Sequence, residues 1–551
     1  MSATTDTPDI PEELKVTDYE VGQDNIQVIG LDIHNPVFII SAGLIIVFVA
    51  LALVFQTQAA EFFGWLRPTA TAAFDWLLMS AANFFVLFCL ILVVSPFGSI
   101  RLGGPEATPD FGYSGWFAML FAAGMGIGLM FFGVLEPVNH MLAPPLGVES
   151  PFNAETGEII QANVPAAAEM GMAGTIFHWG LHPWAIYAVV GLALAFFAFN
   201  RGLPLTLRSA FHPLFGDRVW GWTGHIIDSL AVLATLFGLA TSLGFGAEQA
   251  AAGFNYLFDI PATDTTKVIL ISIITGAALV SVVAGLDAGV KRLSEINMVL
   301  ALILLLFIIF AGPTLAIFGG FFSGLWAYVE NLPAMSFWFD LNTFETREDT
   351  GFLHGWSTFY WAWWISWSPF VGMFIARVSY GRTVREFITC VLIVPTLVCV
   401  LWMAAFGGTA IDQITADGYL GVKQAVDNWT PELSLFLMAE ELPLTGIISM
   451  IGIVLVIVFF VTSSDSGSLV IDTITAGGKI DAPVMQRVFW ALFEGLVAIT
   501  LLLGGGLASL QAMAITTGIP FAVVLIGMCV SLFLGLRTER KIRQEMATAS
   551  A

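Results

Sequence analysis

Long apolar segments separated by polar stretches run through most of the chain. Each segment has about 20 residues or more, the length that a helix needs to cross the hydrocarbon core of a bilayer. The apolar residues are continuous and do not alternate with polar ones, which excludes a membrane β-barrel. The pattern predicts an all-α polytopic membrane protein with twelve transmembrane helices. The predicted spans are 36–56, 74–97, 114–136, 175–199, 225–258, 267–288, 295–320, 352–378, 385–409, 444–475, 486–503 and 508–536.

The polar stretches predict how the chain is oriented in the membrane. Basic residues concentrate in alternate stretches, such as 201–218 and 377–385. Because basic residues mark the cytoplasmic side of a membrane protein, both termini are expected in the cytoplasm. The mostly acidic loops at 141–174, 321–351 and 410–443 are then expected outside.

Composition agrees with a membrane protein and narrows its partners. Of 551 residues, 57% are hydrophobic and 11% are charged, whereas a soluble domain averages about 25% charged residues. A soluble enzyme is therefore excluded. The formal net charge of −22 lies in the loops and the N-terminal tail and disfavours nucleic-acid binding. The basic C-terminal tail could contact anionic lipid or the acidic N-terminal tail, and the sequence equally allows that both tails are solvated.

Clustered aromatic residues are the first candidate for chemistry. Five of the twelve residues at 356–367 are tryptophan, and an indole is the best ring partner for a cation. Earlier in the chain, Trp184 and Tyr187 are three residues apart and share a helix face. With Trp179 and Trp364 they could form a cage for a quaternary ammonium group. Ordinary packing and an interfacial aromatic belt are the alternatives.

Two further motifs interrupt apolar segments. Alternate glycines at 124–128 favour an unwound helix, which a membrane tolerates where it lines a cavity, although small residues also allow close helix packing. Consecutive hydroxyls at 462–464 offer hard oxygen ligands for Na⁺, or they bond back to the preceding helical turn.

Ionisable groups within the spans are the remaining candidates. Glu136, Glu248 and Asp465 make proton coupling the alternative to sodium. His178 and His182 lack carboxylate or cysteine partners at metal-binding spacing, so no metal site is expected there.

Three motifs together resemble one family. Gly-Met-Gly-Ile-Gly, Trp-Trp-Ile-Ser-Trp-Ser-Pro-Phe and Thr-Ser-Ser-Asp-Ser-Gly occur in the order found in the betaine/carnitine/choline transporters, and the resemblance covers about 36–536. It implies a leucine-transporter-like fold, in which two inverted five-helix repeats follow two preceding helices. The implied division is an acidic cytoplasmic tail at 1–34, two preceding helices at 35–110, the first repeat and outer loop at 111–351, the second repeat at 352–536 and a basic cytoplasmic tail at 537–551.

The resemblance also implies roles for single residues. The family's aromatic box corresponds to Trp179, Trp184, Tyr187 and Trp364, with Trp367 on the adjacent pathway and Gly124, Gly126 and Gly128 beside the substrate. Its main sodium site corresponds to the carbonyls of Ala122, Met125 and Phe459 and the hydroxyls of Thr462 and Ser463. A second sodium site would use Thr235 and Phe370, but Leu239 stands where the family's second threonine would be.

The resemblance implies that the chain is a sodium-coupled symporter in the cell inner membrane and a homotrimer, and we expect that it is not an enzyme. Choline-accepting members tend to carry an acid at the position of Gly128, so its glycine implies a zwitterionic substrate. Glycine betaine is expected first, then dimethylsulfoniopropionate, carnitine or ectoine, and Gly128→Asp is expected to weaken betaine transport and admit choline. A sodium-independent carnitine/betaine-type exchanger and an osmosensor with regulatory tails remain alternatives.

Overall fold

The structure is a computed structural model that describes residues 16–124, 126–284, 290–339 and 346–549. A short hairpin precedes the helices, with strands β1 (Asn25–Val28) and β2 (Leu31–His34). In the described ranges the α-helices are α1 (Asn35–Val54), α2 (Gln56–Val94), α3 (Tyr113–Gly124), α4 (Ile127–Leu142), α5 (Val164–Trp179), α6 (Leu181–Arg201), α7 (His212–Phe215), α8 (Trp222–Phe258), α9 (Asp264–Ala284), α10 (Val290–Ala311), α11 (Thr314–Phe337), α12 (Thr358–Arg377), α13 (Val384–Asp412), α14 (Gly421–Asp427), α15 (Ser434–Glu440), α16 (Thr445–Thr475), α17 (Val484–Leu503) and α18 (Leu507–Ala549).

The helices confirm an all-α polytopic membrane protein. In the described residues, ten helical stretches are long and apolar enough to cross a bilayer, or eleven when α3 and α4 count as one bent span. α12 is not among them, although it has 20 residues and is mostly buried, because its tryptophans and serines are less apolar than aliphatic residues. The count of twelve and the inverted repeats stay predictions.

Two spans are broken near their middle. α3 and α4 meet at an angle of 69° across the glycine motif, as the sequence predicts. The predicted fourth span at 175–199 is wrong at its start, because α5 already begins at Val164 and ends at Trp179. Gly180, with φ −94° and ψ −126°, separates α5 from α6. Trp179 is therefore the last residue of one helix, beside a break, and does not open a new helix.

The predicted outer loop at 321–351 also needs correction. α11 runs from Thr314 to Phe337 and fills much of this segment, while the predicted span 295–320 is divided between α10 and α11. Pro313 lies at this division, and a proline disfavours helical geometry at the residue before it. An apolar stretch that continues through the break concealed it in the sequence.

Contacts gather the predicted cytoplasmic segments at one end of the molecule. Asn25 Nδ2 donates to the Ala476 carbonyl at 2.9 Å, which places the hairpin on the connection after α16. Arg201 pairs with Glu539 of α18 at 2.9 Å. Arg543 donates to the Arg101 carbonyl at 3.3 Å. The contacts agree with the predicted alternation of loops, and the identity of this end as cytoplasmic stays a prediction.

Candidate functional site

A cavity of about 290 Å³ lies where the broken helices meet α12 and α16. Its lining includes residues of the α3–α4 break, the α5–α6 break, α8, α10 and α13, together with the indole run of α12 and the hydroxyl run of α16. Most residues predicted for the site therefore reach one cavity, although they are spread over more than 300 positions of the chain. The lining residues in the described structure carry no formal charge.

We call Trp179, Trp184, Tyr187 and Trp364 the aromatic wall of this cavity. The ring centroids of Trp179 and Trp364 are 4.9 Å apart with planes at 74°. Tyr187 lies 6.2 Å from Trp364 and 5.4 Å from Trp184, so the four rings form a continuous series. All four are at least 92% buried. This burial excludes an interfacial belt for these rings. Ordinary packing around the cavity remains the alternative to a cation cage.

Hydrogen bonds fix the edges of the neighbouring indoles. Trp364 Nε1 of α12 donates to the His178 carbonyl at 2.9 Å, near the end of α5. Trp363 Nε1 donates to Ser242 Oγ at 3.2 Å. Trp367, which also lines the cavity, donates to the Gly238 carbonyl at 2.9 Å. Since an indole N–H can only donate, each bond satisfies the polar atom of a buried ring and sets the direction of its face.

Trp179 is held by a buried carboxylate that sequence spacing did not connect to it. Its Nε1 donates to Glu136 Oε2 at 2.7 Å. Glu136 Oε1 lies 2.6 Å from His178 Nδ1 and 3.3 Å from His140 Nε2. The expectation that His178 lacks a carboxylate partner is therefore wrong, because Glu136 lies 42 positions away on another helix.

This cluster offers three metal-ligating groups but is arranged as a hydrogen-bond network. The ligand atoms of Glu136, His140 and His178 lie within 4.8 Å of one another. His178 Nε2 is 2.8 Å from Ser357 Oγ, and Tyr360 donates its hydroxyl proton to Glu136 Oε2. Since both carboxylate oxygens already accept hydrogen bonds, the geometry is explained without a metal ion.

The three glycines of the motif have different surroundings. A Cβ added to Gly128 would lie 2.8 Å from Trp179 Cη2 and 2.9 Å from Trp363 Cη2. A Cβ on Gly126, which lines the cavity at the start of α4, would meet none of the described atoms within 4 Å. Gly124 is the last residue of α3. Gly128 therefore allows two indoles to approach the backbone, a role that its neutrality alone did not indicate.

We call Ala122, Phe459, Thr462 and Ser463 the polar wall, because each lines the cavity and is a predicted sodium ligand. Met125, the fifth predicted ligand, lies outside the described residues. Thr462 Oγ1 donates to the carbonyls of Val458 and Phe459 at 3.0 and 3.2 Å, as in the alternative interpretation of this motif. A donating hydroxyl keeps lone pairs, and the last turn of α3 leaves carbonyls without helical donors. The donor set thus fits a small hard cation.

The residues predicted for a second sodium site supply fewer oxygen ligands than the polar wall does. Thr235 donates to the Ala231 carbonyl at 2.7 Å and is fully buried, while Phe370 lines the cavity. Leu239 packs so closely on Gly467 that a Cβ there would lie 2.3 Å from Leu239 Cδ1. An apolar side chain therefore occupies the position where the family's second hydroxyl is expected.

The other two candidate acids are already paired, and Glu494 is a further buried acid that was not among the candidates. Glu248 pairs with Lys267 at 2.7 Å, and Asp465 pairs with Arg487 at 2.8 Å. Glu494 of α17 is fully buried, accepts from Ser464 Oγ at 2.8 Å, and has no hydrogen-bond partner for Oε1 among the described residues. A single acid within the apolar run 486–503 was the available sequence signal.

Comparison with known proteins agrees with this picture. Residues 36–541 match the model of the BCCT, betaine/carnitine/choline family transporters. A glycine betaine/proline/choline transporter of Vibrio parahaemolyticus is 58% identical over 539 residues, covering 96% of this chain and 95% of the relative. Glycine betaine transporter 1 of the same organism is 55% identical, covering 95% and 98%. Glycine betaine transporter OpuD of Bacillus subtilis is 43% identical, covering 86% and 88%.

Proposed function

This chain belongs to the betaine/carnitine/choline transporter family, and we propose that it is a sodium-coupled symporter that imports glycine betaine or a related zwitterion by alternating access. It is a transporter and not an enzyme. The aromatic wall is the observation that carries the proposal. A quaternary ammonium or sulfonium centre has no proton to donate, so ring faces bind it, each contributing about 0.5–2 kcal/mol.

The uncharged lining of the cavity favours a zwitterion over choline. In the described residues no carboxylate lines the cavity. A substrate that carries its own carboxylate needs no protein counter-ion, and an acid in the cavity would repel it. Names of relatives include proline and choline as well as glycine betaine. We therefore propose glycine betaine as the preferred substrate, with choline as the competitor to be tested first.

Sodium coupling is supported by the polar wall. Its hydroxyls lie beside the cavity, and a helix end such as that of α3 leaves its last carbonyls without helical donors, so both supply hard oxygen atoms. One Na⁺ entering through a membrane potential of 100 mV supplies about 2.3 kcal/mol. Because Leu239 leaves the second site without its second hydroxyl, we propose one sodium ion for each substrate.

Uptake into proteoliposomes tests this function. Labelled glycine betaine should accumulate with an inward sodium gradient and fail to accumulate when potassium replaces sodium. Unlabelled choline, proline, dimethylsulfoniopropionate, carnitine and ectoine should compete less well than betaine. Equal uptake in both salts that requires internal substrate would instead identify an exchanger. Uptake that is retained but no longer responds to osmotic strength after removal of both tails would assign the tails a regulatory role.

Assembly and placement are proposed on the family alone. We propose the cell inner membrane, cytoplasmic termini, a homotrimer, and contact between the basic C-terminal tail and anionic lipid. Reporter fusions at each terminus test the orientation. Cross-linking in vesicles with and without anionic lipid tests the trimer and the lipid contact.

A further inference from the structure

Glu136 is a buried carboxylate with an unusually complete set of donors. It is 0% exposed, and it accepts from Trp179 Nε1, Tyr360 OH and His178 Nδ1, with His140 Nε2 at 3.3 Å. An indole N–H and a phenol O–H favour an ionised acceptor, and charged acceptors form the stronger hydrogen bonds. In the described structure its only ion-pair partners are the two imidazoles. Among the described side chains, no lysine or arginine pairs with it.

The carboxylate lies behind the aromatic wall and not in the cavity. Trp179 lines the cavity with its ring and turns its N–H edge to Glu136, whereas neither Glu136 nor Tyr360 lines the cavity. His178 directly precedes Trp179 in the chain. Its side chain bonds to Glu136, and its carbonyl accepts a hydrogen bond from Trp364 Nε1. Two rings of the wall are thus tied to one buried anion.

A carboxylate in this place affects a cationic ligand in two ways. Attraction between a cation and a ring depends on the negative potential of the ring face. A ring whose N–H is donated to an anion is polarised so that this potential becomes more negative, since hydrogen bonds in a medium of low dielectric polarise one another. The anion also attracts the cation directly through a region where charges are poorly screened.

We propose that Glu136 is a positioning and specificity-determining residue: through Trp179 it holds and polarises the aromatic wall, so that the wall favours a cationic head group over a neutral one of the same shape. The inference rests on the proposed function, because it concerns the head group of the same substrate. It assigns the preference for a cation to a residue that the substrate does not touch.

Glu136→Gln tests the inference because it keeps the size of the side chain and removes its charge. The ligands are glycine betaine and its carbon isostere 3,3-dimethylbutanoate, in which a carbon atom replaces the ammonium nitrogen. The dissociation constants of both ligands are measured on the purified full chain in the presence of sodium. Betaine uptake by the same variants gives KM and kcat. We expect the preference for betaine over the isostere to fall about fivefold or more, and KM to rise more than kcat falls.

Two variants separate this role from a structural one. His140→Ala removes the longest contact of the cluster and leaves the bond between Glu136 and Trp179, so it should keep the parent's preference. Glu136→Asp retains the charge and should keep more of the preference than Glu136→Gln. A purely structural role would weaken both ligands equally, and this result would overturn the inference.

The remaining outcomes are also decisive. If the isostere does not bind to the parent, the betaine dissociation constant alone must rise about fivefold in folded Glu136→Gln, and an unchanged constant overturns the inference. A parent that does not bind betaine overturns the proposed function and the inference with it. A parent that binds betaine beside a variant with unchanged preference overturns the inference alone.

Discussion

The aromatic wall and the polar wall face the same cavity but differ in how their groups are held. Trp179 and Trp364 are each fixed by an indole hydrogen bond and by ring contacts on several helices. On the polar wall, Thr462 bonds back to its own helix, and the neighbouring chain is interrupted between α3 and α4. The proposed cation surface is therefore held by contacts between helices. On the polar wall, Thr462 Oγ1 also accepts from Asn297 Nδ2 at 3.4 Å and keeps one lone pair for the proposed ion. Substitutions should therefore change different measurements on the two walls.

The largest effect is expected on the polar wall. Changing both Thr462 and Ser463 to alanine removes two hydroxyls from the cavity lining. We expect uptake to fall more than tenfold and to lose its dependence on sodium, because a dehydrated ion needs its oxygen ligands. Initial rates across a sodium titration measure this effect. Ser272→Ala is the matched control, because Ser272 is exposed and also bonds back to its helix, at 2.7 Å.

Full activation of uptake by sodium in the double variant would contradict the assignment of ion binding to the polar wall. The hydroxyls would then serve only their own helix, which is the alternative that the back-bonded geometry of Thr462 already permits.

The next effect is expected on the aromatic wall. Trp364→Ala removes the ring that contacts both Trp179 and Tyr187. We expect the dissociation constant of glycine betaine to rise about tenfold or more, with a smaller rise for Trp364→Phe, because a ring face remains. Calorimetric binding in saturating sodium measures it. Trp326→Ala is the control, since Trp326 is 71% exposed on α11. A folded Trp364→Ala protein with unchanged affinity for betaine would show that the rings only pack against one another and do not bind the substrate.

A smaller effect is expected where the broken helix touches the aromatic wall. Gly128→Ala must displace Trp179 or Trp363, whereas Gly126→Ala has free space. We expect a rise of several fold in betaine KM for Gly128→Ala and a clearly smaller one for Gly126→Ala, as measured by uptake. For the same steric reason, Gly128→Asp should weaken betaine transport without admitting choline, which revises the expectation from sequence. Equal effects at 126 and 128 would show that the indoles move aside.

Sequence predicted the parts of the site that lie in local motifs. The glycine break, the indole run and the hydroxyl run are each short, and their order carries the family resemblance. Contacts between distant helices were not predictable in this way. Glu136 meets His178 across 42 positions, and Glu494 meets Ser464 across 30. No periodicity relates such pairs, because the relative rotation of two helices depends on the packing of the whole bundle.

The fold shows the same division. Hydropathy located most spans, since a bilayer requires long apolar helices. It did not show that the fourth span breaks at Gly180 or that α11 follows Pro313, because apolar residues continue on both sides of each break. Breaks of this kind are set by a few residues, and an average over a 20-residue segment conceals them.

The smallest effect on substrate binding is expected at Leu239. A substitution there tests the proposed number of sodium ions bound with each substrate. Leu239→Thr places a second hydroxyl one helical turn from Thr235, at the position where the family's second sodium site has one. We expect betaine affinity in saturating sodium to stay within about twofold, while the Hill coefficient for sodium rises from near one toward two. Leu239→Val is the matched control, because it also loosens the packing on Gly467 but adds no hydroxyl. If the parent already titrates with a coefficient near two, two ions bind without this hydroxyl, and the capacity of the polar wall is larger than the described donors indicate. If both variants respond alike, the change comes from packing between α8 and α16 and not from a new ligand.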